Sequence, residues 1–300
     1  MKAALRFLGW AAAATALSAV TAPNFPGLLD QVLGDTFGSA FAVVPFVALF
    51  AVIFAFRWKD LEQVLDGEGG PGSLMWTRLS GASMVVALAL LEPLTGGAVE
   101  TSAIAVILTF YGVSLALNPS TARFLLPYAA VLSAGVSAPT ALQWAFGAPL
   151  ASFSSLISAR FVDILGVHVA WQGTQFEFTS RTGELVSAVV TPDCSGIVSV
   201  TTFLGLLALM HIDMHKDLRS TATLAAAGTA ALAVLNCVRI ALLICVGYGF
   251  GSAAFWGVHY WLGYAEFLGF YLAALVVYSR MGRPNPGLYP ANSGLPYTPS

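Results

Sequence analysis

About eight times along its 300 residues the chain runs apolar for close to twenty positions, and that recurrence leaves few ways to fold. The runs fall near 5–22, 37–56, 79–94, 99–117, 124–145, 196–212, 221–247 and 254–278. A helix of about 20 mostly apolar residues crosses the hydrocarbon of a bilayer. Only 9% of the residues are charged and 57% are hydrophobic, whereas about a quarter are charged in soluble proteins. A water-soluble domain has too little polar surface to cover such a composition. The expectation is an all-α integral membrane protein of about eight transmembrane helices.

Lysines and arginines orient such helices, because they are retained on the cytoplasmic side. With the N-terminus inside, the inner segments carry Lys2, Arg6, Arg57, Lys59, Arg78, Arg123, Lys216, Arg219, Arg280 and Arg283. The outer segments carry only Arg160 and Arg181, and Arg239 is left within a span. This asymmetry predicts a multi-pass protein of the cytoplasmic membrane with both termini inside. The first run reads like a signal peptide, with small residues up to Ala22, but Pro23 follows a cleavage site poorly. Its removal would leave the orientation of the rest unchanged. A net charge of -2 without a long basic block argues against nucleic-acid binding.

Four regions follow: membrane helices over 1–147, an extracytoplasmic element over 148–193, further membrane helices over 194–280, and a Pro-rich tail over 281–300 expected to be disordered. The inner stretch 57–73, "RWKDLEQVLDGEGGPGS", reads as a plain connector. In 148–165, Phe153, Leu156, Ile157, Phe161, Ile164 and Leu165 recur at helical spacing, interrupted by Arg160 and Asp163. This predicts a small amphipathic helix lying on the outer surface. Short alternating runs, "VHVAW", "TQFEFT" and "ELVSAVVT", then predict a short β-meander leading to Cys194.

Ionisable groups within spans are costly and therefore mark functional candidates. Arg239, His259 and Glu266 are such groups, and Cys194 opens the sixth run from outside. If the seventh span ends near Val246, Arg239 lies about 10 Å below the outer surface, within snorkelling reach. His259 enters the eighth run by about one turn, so three consecutive spans bring thiol, guanidinium and imidazole to one level. That set suits cysteine acyl chemistry. A helix N-terminus and a nearby cation both favour a thiolate. An imidazole can take and return the proton, and a fixed guanidinium can face an oxyanion. Gly196 allows close approach, and Asp193 is expected to cap the sixth helix rather than orient His259.

Each residue also has a plainer explanation. A lone cysteine is commonly a small hydrophobe, the assignment favoured for Cys237 and Cys245, which are too far apart along a helix to bridge. His259 beside Trp256 and Tyr260 fits an interfacial belt, and Arg239 could pair with Glu266. His211 and His215 in "HIDMH" have a spacing that can ligate a metal, but an interfacial loop is favoured there.

"CSG" at 194–196, "NCVR" at 236–239 and His259, in this order after a surface element with short strands, resemble the exosortase/archaeosortase family of membrane cysteine transpeptidases. The likeness covers about 150 to 278. The family cleaves exported proteins that end in a short motif, a transmembrane helix and a basic cluster. The resemblance implies Cys194 as nucleophile, with Arg239 and His259 completing the site at the extracytoplasmic side. Ser195, Gly196, Asn236, Glu266 and Asp193 would support it. No metal or other cofactor is implied, and membrane lipids surround the chain. The "PD" before Cys194 departs from the expected approach to the thiol. Two alternatives are a membrane acyltransferase using Cys194 and a non-enzymatic carrier in which Arg239 and Glu266 line a path.

Overall fold

Backbone N–H and C=O groups in apolar surroundings must bond within their own segment, so long apolar runs become helices. The computed structural model of the chain describes residues 2–23, 55, 57–66, 74–91 and 99–281. Among them are helices α1 (Lys2–Thr21), α2 (Trp58–Asp66), α3 (Leu74–Leu91), α4 (Val99–Leu117), α5 (Pro119–Ile164), α6 (Ile197–Met214), α7 (Leu218–Phe250) and α8 (Ser252–Arg280). Strands β1 (Ala170–Gln172), β2 (Gln175–Thr179) and β3 (Leu185–Val189) lie between α5 and α6. Helices α5 to α8 are long and apolar enough to cross a membrane, whereas α1, α3 and α4 hold the shorter apolar stretches Phe7–Thr21, Met75–Leu91 and Thr101–Leu117. The expected helical membrane architecture is present, but among the described residues four helices, rather than about eight, have the length and apolarity of a span. The run at 37–56 and the tail from 282 onward lie outside the described residues.

Helix α5 differs most from expectation. Asn118 starts it, its side chain accepting from the N–H groups of Ser120 and Thr121, with Pro119 in the first turn. It then continues for 46 residues through Pro127, Pro139 and Pro149, about 69 Å at 1.5 Å per residue. The separate surface helix expected at 148–165 is instead the last part of this one helix. Its apolar stripe is real but faces outward: Leu150, Phe153, Leu156, Phe161 and Ile164 are exposed. Ala151, Ser154, Ser155, Ser158 and Val162 turn inward. Small residues allow close helix approach, and the large apolar ones are left on the outward face of the helix.

The β-meander forms as expected, with order β1-β2-β3, all antiparallel. Its buried face, Phe176, Phe178, Val186 and Val190, packs on Ile240, Ala241 and Ile244 of α7 and on Ala151 and Val162 of α5. Arg181 N–H donates to Tyr248 O at 2.8 Å, and the Arg181 guanidinium lies over the Tyr248 ring. The hairpin also ends in a cap for α8: Glu184 accepts from the Ser252 N–H at 3.0 Å and from the Ser252 hydroxyl.

At the opposite end, 57–66 is more than a connector. It forms α2, whose Leu61 is buried against Phe7, Trp10, Trp58 and Phe124. Arg57 precedes it and clamps the end of α6, through Nε to Asp213 Oδ1 and Nη2 to Asp213 O, both at 2.8 Å. Nearby, His211 Nδ1, Thr221 Oγ1 and Tyr278 OH form a triangle across α6, α7 and α8 with sides of 2.9 to 3.2 Å. His211 therefore serves helix packing, while His215 ends α6 in the left-handed region with Nδ1 near Asp213 O.

Between the two ends, Phe203, Leu206, Leu209 and Met210 of α6 interlock with Leu232 of α7 and Phe267 and Tyr271 of α8. Gly228 of α7 makes this possible, since a Cβ there would lie 2.3 Å from Phe203 Cζ. Gly228→Val is expected to destabilise the bundle by about 1–3 kcal/mol, seen as a lower thermal midpoint of the purified protein in detergent.

Candidate functional site

Cys194 is not the first residue of α6. It sits in a short 3-10 turn, Pro192–Ser195, joined to α6 by Gly196 at φ 87°. The turn closes through Cys194 N–H to Thr191 O at 2.9 Å, and the buried Ser195 hydroxyl accepts from the Ile197 N–H. Two features press the turn against α5. A Cβ at Gly147 would come within 2.8 Å of Pro192 Cβ, and Gln143 Nε2 donates to the Asp193 carboxylate. Asp193 is thus tied to α5 and does not cap α6, whose N-cap is Gly196 with no side-chain bond. The cap fails because the left-handed Gly196 intervenes, turning the chain between Asp193 and the helix.

Across from the turn, Asn236 is fully buried in α7. Its Nδ2 donates to Cys194 O at 2.9 Å, and its Oδ1 accepts from Arg239 Nη1 at 3.4 Å. Gly196 must be glycine twice over: its φ is positive, and a Cβ would lie 3.1 Å from Asn236 Cγ. The Arg239 guanidinium crosses to α8, where it lies 5.6 Å from the centre of the Phe267 ring. A Cβ at Gly263 would lie 3.6 Å from Arg239 Cζ. His259, Gly263 and Phe267 are spaced i, i+4, i+8 and share one face of α8. The His259 ring stacks on Phe255 at 6.1 Å and meets Trp256 edge-on at 5.4 Å.

Asn236 thus links the Cys194 turn to Arg239, a connection that the sequence did not display. Cys194, Ser195, Gly196, Asn236 and Arg239 form one connected unit, and His259 stands one helical turn beyond the glycine that receives Arg239. Among the described residues no hydrogen bond joins the Cys194 thiol to Arg239 or His259. Glu266 lies on the same side of α8, but no ion pair there links it to Arg239. Arg239 Nε and Glu266 Oε2 are both buried without a hydrogen-bond partner. Gln143 and Gly263 were not singled out from the sequence. Gly263 had a signal, its i+4 spacing from His259, whereas Gln143 lies 50 residues from its partner and had none.

The site also lies well below the tips of the helices. From Gly147 to Ile164, α5 extends about 26 Å further, and from Asn236 to Phe250, α7 extends about 21 Å. The seventh run was placed at 221–247, and α7 continues past it through Gly249 to Phe250. A Cβ at Gly247 would lie 3.0 Å from Phe178 Cζ of the sheet and 3.1 Å from Phe255 Cδ2 of α8. The sheet packs on this extension, so β3 descends toward Cys194 along the projecting helices.

The family model described as transmembrane exosortase matches residues 30–279. That is most of the chain, and the chain belongs to this family. No curated protein and no solved structure matches it.

Two outcomes are expected. Asn236→Ala strips a donor from Cys194 O and an acceptor from Arg239, and should destabilise the fold by about 1–3 kcal/mol, read as a lower midpoint of thermal unfolding. Hydrogen bonds from the Ser252 hydroxyl and N–H hold the Glu184 carboxyl below the usual carboxylate range. A depressed folded pKa adds stability above the ordinary value and loses it as pH falls through the lowered one. The difference in thermal midpoint between wild type and Glu184→Gln should be widest near neutrality and close in acid.

Proposed function

We propose that the chain is a cysteine transpeptidase or protease that cleaves C-terminal sorting signals of exported proteins at the outer face of the cytoplasmic membrane. The observation that carries this reading is the Asn236 bridge, which holds the Cys194 turn and Arg239 as one unit against the His259 face of α8. Cys194 Sγ attacks the scissile carbonyl, and the oxyanion forms beside the Arg239 guanidinium. His259 takes the thiol proton and returns it to the leaving amine as the C–N bond breaks. The resulting thioester is resolved by an acceptor amine or by water, with His259 again moving the proton.

Helix lengths support the placement in the membrane. Arg123 to Gln143, Arg219 to Arg239 and Arg280 to His259 each span about 20 residues, about 30 Å, the thickness of the hydrocarbon. With the cationic feet inside, the candidate site falls at the outer boundary, where the exposed Trp144 and Trp261 would form part of an aromatic belt. Counting α1, α3, α4 and the run at 37–56 as crossings gives eight spans with both termini inside. A substrate helix would enter beside them, its basic cluster held at the same inner side.

The test is the fate of a co-expressed host protein ending in motif, apolar helix and basic cluster, followed by gel mobility. Cys194→Ala at normal abundance should process none of it, and His259→Ala should slow processing by about a hundredfold or more. Equal processing by wild type and Cys194→Ala would remove the thiol from the chemistry. A carrier using Arg239 and Glu266 would keep its activity in Cys194→Ala, and an acyltransferase would ignore the peptide signal.

A further inference from the structure

Strand β3 has one neighbour. It pairs with β2, and β1 lies on the far side of β2, so the other edge of β3 is free among the described residues. The register shows which backbone groups face that edge. Val190 N–H bonds Thr174 O and Ser180 N–H bonds Glu184 O. In an antiparallel pair the bonded positions alternate, so Val186 and Ala188 also face β2. The N–H and C=O groups of Leu185, Ser187 and Val189 then point away from the sheet. These three residues are also solvent-exposed. Free edges are ordinarily blunted with lysine, proline or a bulge, yet "LVSAV" has no charge and no proline. The strand then runs through Val190 and Thr191 directly into the Cys194 turn.

We infer that an extended segment of the substrate adds to this edge as a fourth strand, just upstream of its scissile bond. This rests on the peptide-cleaving role proposed above and names how that peptide is held. The direction follows from chain order. The enzyme runs from strand to Cys194 to a helix, α6, leading away into the apolar bundle. A substrate with its cleavage motif ahead of its helix runs in the same sense, so it pairs parallel to β3. Main-chain bonds to Leu185, Ser187 and Val189 supply affinity with little demand on sequence, as in other strand additions. Val189 and Cys194 are five residues apart, at most about 18 Å. The paired segment therefore lies about five to ten residues N-terminal to the cleaved bond.

Proline at position 187 removes an outward N–H while leaving the bonds to β2 in place, the situation in which an edge strand accepts proline. Ser187→Pro should keep wild-type abundance and thermal midpoint, yet process the co-expressed substrate about tenfold more slowly or worse. Independently, a photo-crosslinking benzoylphenylalanine at position 187, in a Cys194→Ala background that retains uncut substrate, should crosslink five to ten residues upstream of the normal cleavage point, about the reach set by the strand. Wild-type processing by a well-folded Ser187→Pro, or crosslinks only downstream of the cleavage point, would overturn the inference. Should Ser187→Pro fail to accumulate, the crosslink position decides alone. If Cys194→Ala itself still processed the substrate, the peptidase reading would fail instead, so the two failures are told apart.

Discussion

One buried amide organises this end of the molecule. Asn236 has both ends of its side chain engaged, the nitrogen with Cys194 O and the oxygen with Arg239. An amide buried in an apolar bundle is expensive unless satisfied, and satisfying it fixes two things together: where the thiol-bearing turn sits and where the only cation in this part of α7 points. Gly196 is the counterpart, since any larger residue would intrude on the Asn236 side chain. Gly263 then gives the guanidinium a place to lie on α8. The site is thus assembled from contacts among α6, α7 and α8 that depend on one another.

The sheet extends this logic outward. Alone, three short strands would have marginal stability. Here their apolar face is buried on α5 and α7, and Glu184 closes the start of α8. In return the sheet covers apolar residues of α7 that project beyond the site, such as Ile240 and Ile244. Its position just before Cys194 means that the element stabilising the projecting helices also approaches the thiol.

Much of this was legible in the sequence. Apolar runs of helical length placed α1 and α3 to α8, alternation placed the three strands, and costly polar residues in apolar runs singled out Arg239 and His259 as candidates. The failures share a cause, which is that periodicity reports a stripe without saying what it faces. The stripe of Phe153, Leu156, Phe161 and Ile164 was visible, but the inward stripe of serines and Ala151 was the packed one, so a continuous helix was read as a separate surface helix. Asp193 had the composition of a cap, yet the left-handed Gly196 and the distant Gln143 redirected it. Such long-range partners leave no local trace, and Asn236 gained its significance only when α7 was seen against Cys194.

Helix α6 is fastened at both ends. Its start is held through Gly196 and the Asn236 bridge, and its finish through the Arg57 clamp on Asp213. Between these points it has 18 residues, about 27 Å, the shortest of the four long apolar helices. A helix so fixed cannot slide or lengthen, and it acts as a ruler. In a bilayer thicker than its length, the lipid must thin around it or the Cys194 turn must sink below the headgroups, at a cost of fractions of a kcal/mol for each Å, about the scale of other mismatches. With α6 spanning the bilayer as proposed, acyl-chain length in the surrounding membrane would set how deep the thiol lies.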